Sequence, residues 1–331
     1  MEALAARIVD AVPTARGSIL VRDRCGRVEV VDAVVAECRR RGLEPAIERV
    51  DNDRLRALIT ETPLDELARW DVDRHAETQR ISALISLGGW LLNVDGLPPA
   101  ALEAWAAAVG RAEAAIERRR VPTVVVAVPT AAVAGALGMS LAELDESVLP
   151  SLGMSAADLR GSVAPLIASL AAASAVELRS AAGVMTVQRG TRPLLVDDGV
   201  IDAADIAAGA TVSNLPAGSV YWTVLEGETR GDVVLDDGSV LRFGDDGRVL
   251  DGPYAGERVA HLGIASNPLV TRTIGWTIVD EHRPGAVFLA LGENRYMGGS
   301  NESSINVDLL PASPTLTAGA TTIVAGGRLA G

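Results

Sequence analysis

The chain has three histidines: His75, His261 and His282. One of them lies in a stretch of small and apolar residues, "RVAHLGIASNPLV" (258–270). An imidazole in such surroundings is either a core side chain satisfied by hydrogen bonds or a ligand. Farther on, "NESSINVDLL" (301–310) alternates polar and apolar residues. Side chains two apart on a strand share a face. Glu302, Ser304, Asn306 and Asp308 therefore form one row, and Ile305, Val307 and Leu309 the opposite one. Such a row fits a half-exposed strand and equally the wall of a polar pocket. Between the two segments, Arg295 offers a guanidinium for a substrate carboxylate, and Tyr296 a phenol as proton donor. Glu281 and His282 in "VDEHRPG" precede a turn and read as solvated. Asp197–Asp198, Asp236–Asp237 and Asp245–Asp246 each precede a glycine and read as turn formers rather than acid–base pairs.

These residues must be held by the surrounding chain. Its 331 residues, 48% hydrophobic and 22% charged, suit a soluble globular protein of two domains. Thirty basic residues face 43 acidic ones, a net charge of −13. An acidic chain without a basic run argues against nucleic acid and anionic membrane as partners. All thirty basic residues are arginine, so Schiff-base, pyridoxal-phosphate and phosphate-loop lysine chemistry is excluded. Cys25 and Cys38 give neither a disulfide framework nor a thiolate metal site. The start, "MEALAARIVDAVP", lacks the layout of a signal peptide, and no apolar run has the roughly 18 residues that span a bilayer. The expected location is the cytoplasm.

The first third alternates strand and helix patterns. Strands are expected at 18–23, 44–51, 80–89 and 121–130, and helices at 27–43, 55–70 and 98–120. The nearly continuous apolar run of "VPTVVVAVPT" is that of a strand buried on both faces. The pattern predicts an α/β domain with an open, doubly wound, Rossmann-like parallel sheet. It lacks G-x-G-x-x-G, so a nucleotide is not expected. Residues 131–175 read as helical, with Ser140 as N-cap and Glu143 closing a capping box. From about 176 the texture changes to short alternating strands with Asp-Gly turns. The expected division is 1–170, a Rossmann-like domain with linker helices, and 171–331, a β-rich α+β domain carrying the site.

The segment "VFLALGENRYMGGSNESSINVDLL" resembles the C-terminal signature of the thermophilic metallo-aminopeptidases of the aminopeptidase T and aminopeptidase S type. "HLGIASNP" (261–268) is similar to their "ELGIG.NP", "NLPAGSV" (214–220) to their "NLPTGEV", and "VPTVVVAVPTAAVAGALGMSLAEL" to their interdomain linker. The likeness runs over nearly the whole chain and implies the aminopeptidase T fold, a homodimer, and a centre of two divalent metals with six ligands. At the matching positions this chain has Ser219, His261 and Phe288 in place of Glu, Glu and His. Tyr296 is kept, Asn306 replaces a His, and Asp308 is kept. Four of six positions are changed, a phenyl ring cannot bind an ion, and two cations sharing one carboxylate would be under-neutralised. The resemblance therefore implies a lost two-metal mechanism.

A histidine at the 261 position also resembles a divergent branch, the 2,5-dihydroxypyridine dioxygenases. Those use one iron held by two histidines and a carboxylate. This chain supplies His261 and Asp308, with Asn306 where the second histidine would be. The leading expectation is an enzyme acting on a small aromatic or amino-acid-derived molecule. It would hold one Fe(II) or other divalent metal, or none, with Asn306 as a weak third ligand. A residual single-metal hydrolase and a non-catalytic binding subunit are the alternatives.

Overall fold

The computed structural model describes residues 1–50, 52–72, 79–88, 96–303 and 305–330. His75 and Ser304 lie outside the described residues. The strands in chain order are β1 (Ser18–Asp23), β2 (Glu44–Arg49), β3 (Leu84–Leu87), β4 (Thr123–Val126), β5 (Ala175–Ser180), β6 (Gly183–Gln188), β7 (Leu195–Asp197) and β8 (Val212–Leu215). They continue with β9 (Ser219–Thr223), β10 (Thr229–Val234), β11 (Val240–Phe243), β12 (Val259–Ala265), β13 (Val287–Gly292), β14 (Asn306–Leu309), β15 (Thr315–Ala318), β16 (Thr321–Ala325) and β17 (Arg328–Leu329). The chain splits into two compact units, Met1–Gly153 with Val200–Leu215, and Met154–Gly199 with Pro216–Gly331.

The first unit holds a parallel sheet of order β2-β1-β3-β4-β8. Strand order reverses direction between β1 and β3, which defines a doubly wound sheet. All four positions of β3 are buried, as a central strand covered on both faces requires. The helix expected at 55–70 is two helices, Asn52–Glu61 and Leu64–Leu67. Pro63 lies between them, has no N–H to donate and interrupts the ladder. The capping box of Ser140 and Glu143 forms and opens the helix Leu141–Leu152.

The second unit begins at Met154, earlier than the boundary expected near residue 170. It includes the helix Ala156–Leu170, because Leu166 and Leu170 belong to the apolar core of its sheets. The first unit takes back 200–215, where β8 joins the parallel sheet. Two antiparallel sheets build the second unit. One has seven strands, β11-β10-β6-β5-β15-β16-β17, and the other five, β14-β13-β12-β9-β7. Val176, Leu178, Met185 and Val187 of the first share one core with Val220, Trp222, Leu262, Ile264, Val287, Leu289 and Leu291 of the second. Alternate residues of the five-stranded sheet face away from this core. Among the described residues, no helix is long and apolar enough to cross a membrane.

Candidate functional site

The outward residues of the five-stranded sheet fall into rows set by strand register. Asp308, Ala290, His261 and Thr223 lie side by side on β14, β13, β12 and β9. The next row is Phe288, Gly263, Tyr221 and Leu195, and the one after it Ala265, Ser219 and Asp197. Successive rows are about 6.7 Å apart along the strands. An apolar row is thus flanked by two polar ones.

His261 and Asp308 come from strands two places apart, a backbone separation of about 9.6 Å. Their side chains nonetheless approach to 3.7 Å, Nε2 to Oδ1. Ala290 stands between them, and its methyl group leaves the room over which they converge. A register shift between Val259 and His261 marks a bulge in β12. The bulge lets Val259 join the inner core while His261 points outward, the re-aiming that bulges provide near functional sites. The 3.7 Å gap is too long for a hydrogen bond. His261 Nδ1 and Asp308 Oδ1 are buried with no hydrogen-bond partner among the described residues. Burial pulls the His261 pKa down to about 4, so the imidazole is neutral. Asp308 keeps 32% of its side chain in solvent, but Oδ1 is sealed. Burial, and then the charge of Glu281, push its carboxyl up to about 8.

Aromatic rings enclose the imidazole. Tyr221 lies 5.3 Å from His261 between ring centroids and Phe288 5.9 Å, edge-on. A Cβ on Gly263 would stand 2.0 Å from Phe288 Cζ. The absence of a side chain on Gly263 is therefore what leaves room for the tip of the phenyl ring. Tyr221, Phe288 and Met297 form a buried cluster with Leu195, Tyr296 and Leu310 against it.

The segment between β13 and β14 carries Tyr296 and is pinned by two buried asparagines. Asn294 donates through Nδ2 to the carbonyls of Val224 (2.8 Å) and Ala260 (3.1 Å), and its Oδ1 accepts from Asn301 N (2.8 Å). Asn301 Nδ2 donates to Val259 O at 3.0 Å. Gly299 passes so close to Asn294 that a Cβ would meet its Oδ1 at 2.0 Å. Thr223 Oγ1 donates to Met297 O at 3.0 Å, which holds the turn Arg295–Met297 over the sheet.

The expected site residues divide accordingly. His261, Asp308 and Phe288 are gathered, with Tyr296 against the same cluster. Asn306 shares the parity of Asp308 but is exposed, and its Nδ2 faces Tyr296 Oη at 3.5 Å. Glu302 is exposed and precedes β14 rather than lying on it. Arg295 is not aimed into the site. It is exposed and held by both carboxylate oxygens of Glu293 (2.8 and 3.1 Å) and by Glu302 at 3.3 Å. Its charge is already matched from two residues away. Ser219 is buried in the row beyond Tyr221.

Glu281 and His282 are not solvated. They are 3% and 2% exposed, with Glu281 Oε1 3.4 Å from His282 Nε2. Asp280 anchors the turn before them by accepting from Ile274 N (2.9 Å) and Gly275 N (2.8 Å). Asn267 N donates to His282 O at 3.0 Å, and Asn267 Nδ2 to Ala217 O at 2.7 Å. The segments "HLGIASNP" and "NLPAGSV" are thus one junction, and it sets the position of His282. Burial lowers the His282 pKa, opposed by the charges of Asp197 and Asp308. Asp197 forms its expected turn, accepting from Gly199 N at 3.1 Å, and also acts on His282.

The donor set decides which metal centre fits. Two ions do not: Ser219 is neutral, and the Phe288 ring lies over Gly263. One ion fits better, because metal bonds of about 2.1 Å to nitrogen and oxygen can bridge a 3.7 Å gap between two donors that face each other. Among the described residues, no three His, Cys, Asp or Glu side chains form a ready cage.

No protein-family model and no curated protein matches the sequence. Solved structures match in fold. AmpT from Thermus thermophilus superposes with a TM-score of 0.70 at 17% identity, over 100% of this chain and 98% of that one. A 2,5-dihydroxypyridine dioxygenase from Pseudomonas putida KT2440 gives 0.61 at 12% identity, over 99% and 96%. At such identities the likeness concerns the fold, and functions differ on shared folds. With a parallel sheet, two antiparallel sheets and this end-to-end correspondence, the chain has the aminopeptidase T fold, which the dioxygenase shares.

Proposed function

We propose that this chain is a small-molecule enzyme on the aminopeptidase T fold that no longer cleaves peptides at a two-metal centre. His261 and Asp308 hold one divalent cation, with iron(II) the first candidate because of the dioxygenase-like histidine at position 261. The observation that carries this reading is the convergence of these two side chains across Ala290 to 3.7 Å. When bound, such an ion supplies a Lewis acid with open positions for a substrate. Tyr221 and Phe288 form the wall that orients an aromatic or amino-acid-derived molecule and excludes water. Tyr296 holds a proton at its hydroxyl, which faces Asn306.

The test is a set of melts with and without chelator on wild type, His261→Ala and Asp308→Ala. Chelator should lower the wild-type melting temperature by removing a ligand of the folded state and leave both variants unmoved. Variants that lose several degrees regardless of chelator, with unchanged metal content, would make the two residues architectural only. Release of amine from Leu-p-nitroanilide with added Co²⁺ or Zn²⁺ should be negligible. Turnover near about one per second, within the usual enzyme range, would contradict the loss of peptidase chemistry.

A further inference from the structure

The loop after β14 walls a cavity of about 270 Å³. Its chain, "LPASP" (310–314), is fastened to the β10–β11 turn: Asp236 N donates to Leu310 O and Ala312 N to Val234 O, both at 2.9 Å. Residues of the segment 273–287 line the rest. Asp280, Val287, Pro311 and Pro314 are buried, and Asp236, Thr273 and Ser313 are exposed at the rim. Ser313 is held at φ +42°, in the left-handed region that a non-glycine residue seldom adopts. Strained residues of this kind gather at ligand clamps. None of His261, Asp308, Tyr221 or Phe288 lines this cavity, so it is separate from the candidate metal site.

Two charges of opposite sign line it without a partner. Arg283 is half-buried. Its Nη1 donates to Gly327 O at 3.0 Å, and it forms no ion pair among the described residues. Asp280 feels its charge, but the Asp280 carboxylate oxygens accept from Ile274 N and Gly275 N. The rest of the guanidinium fork is left for a planar anion, which a carboxylate fits. At the rim, the Asp236–Asp237 turn needs only its second carboxylate: Asp237 accepts from Ser239 N (2.8 Å) and Oγ (2.6 Å). The Asp236 carboxylate makes no bond among the described residues. A plain anion at Arg283 would be repelled by Asp236 and Asp280, and a plain cation at Asp236 would be repelled by Arg283. A molecule that carries both charges meets neither cost. The volume lies just below the roughly 300–1,000 Å³ of ordinary ligand pockets, so the molecule is small.

We propose that this cavity is a second binding site, for a free α-amino acid with an aliphatic side chain. The carboxylate pairs with Arg283 and the ammonium with Asp236, and the side chain lies against Ala286, Val287, Leu310 and Pro311. The site goes beyond the metal reading, and neither needs the other.

The experiment is calorimetric titration of the full chain with L-alanine, L-valine and L-leucine, with and without chelator. The single-charge controls are 3-methylbutylamine, 4-methylpentanoate and inorganic phosphate. Wild type should bind at least one of the amino acids, and each control at least about tenfold more weakly, as loss of a charge-assisted bond requires. Asp236→Asn and Arg283→Gln should each weaken the amino acid by a similar factor, and chelator should leave its binding unchanged. Asp236 is exposed and its side chain supports no bond among the described residues. Asp236→Asn therefore carries the test even where Arg283→Gln, which gives up the bond to Gly327, folds poorly. No binding of any of the three amino acids, a control that binds as tightly, or wild-type affinity in Asp236→Asn would overturn the proposal. So would amino-acid binding that chelator abolishes, which would place the ligand at a metal. Amino-acid binding by a protein that holds no metal would support this site and contradict the metal reading, so the two fail separately.

Discussion

The two faces of the five-stranded sheet are made by the same strands and do opposite work. The inner face is Val220, Trp222, Leu262, Ile264, Val287, Leu289 and Leu291, packed into one core with the seven-stranded sheet. The outer face carries Ser219, Tyr221, His261, Gly263, Phe288, Ala290 and Asp308, one residue along in each strand. Period-two alternation puts the apolar core on one parity and the polar and aromatic side chains on the other. The outer face can then hold a neutral imidazole and a carboxyl that resists ionisation, because burial on the other face holds the sheet. Departures from alternation are themselves placed. The bulge at Val259–His261 returns Val259 to the core without disturbing His261.

Substitutions on each face should separate these roles. Trp222→Ala, at a position with no exposure, should cost about 3–5 kcal/mol by denaturant unfolding. The folded fraction should keep its ligand binding; loss of binding at unchanged stability would break the comparison. Gly263→Ala is smaller, because the ring it meets can shift. Overpacking against Phe288 should cost about 1–3 kcal/mol, and Phe288→Ala in the same chain should recover part of it. Full additivity of the two would show that the ring does not lie on the glycine.

A pH series sharpens the contrast. In chelator-treated protein the Asp308 carboxyl sits near 8 against an ordinary value of 3.8. Between those values the unfolded chain has released a proton that the folded one keeps. The contribution is therefore full below about pH 4 and is lost as pH rises through about 8. Wild type should lose melting temperature relative to Asp308→Asn as pH is raised from 5 to 8; parallel curves would contradict it. The smallest effect is expected from Arg295→Ala. An exposed pair with Glu293 contributes little, so stability should stay within about 0.5 kcal/mol and metal content should not change. A large loss of ligand affinity would return Arg295 to the site.

Local pattern made much of this legible. β1 spans the six residues of "SILVRD", and the parity of Asn306 and Asp308 against Val307 and Leu309 is that of the strand. The capping box at Ser140 is a three-residue relation and needs no tertiary knowledge. Long-range contacts made the rest illegible. Glu281 and His282 have the composition of a surface turn, and the bond from Asn267 N to His282 O comes from fifteen residues upstream. A hint was present, since "VDEHRPG" lies between two apolar stretches and so has little room to reach solvent. The split of the first unit was hidden for the same reason: β8 pairs with β4 only after the chain has passed through the second unit. Arg295 is different. Glu293 stands two residues before it, so its pairing was readable from spacing.

His261 and Asp308 are proposed to converge in order to hold an ion. Metal content after purification without chelator tests it most directly, by mass spectrometry on wild type, His261→Ala and Asp308→Ala, with circular dichroism confirming the fold. About one divalent ion per chain is expected in wild type, as a site with two donors and open positions would hold, and essentially none in either variant. A wild type that carries no metal, or variants that retain it, would contradict the account.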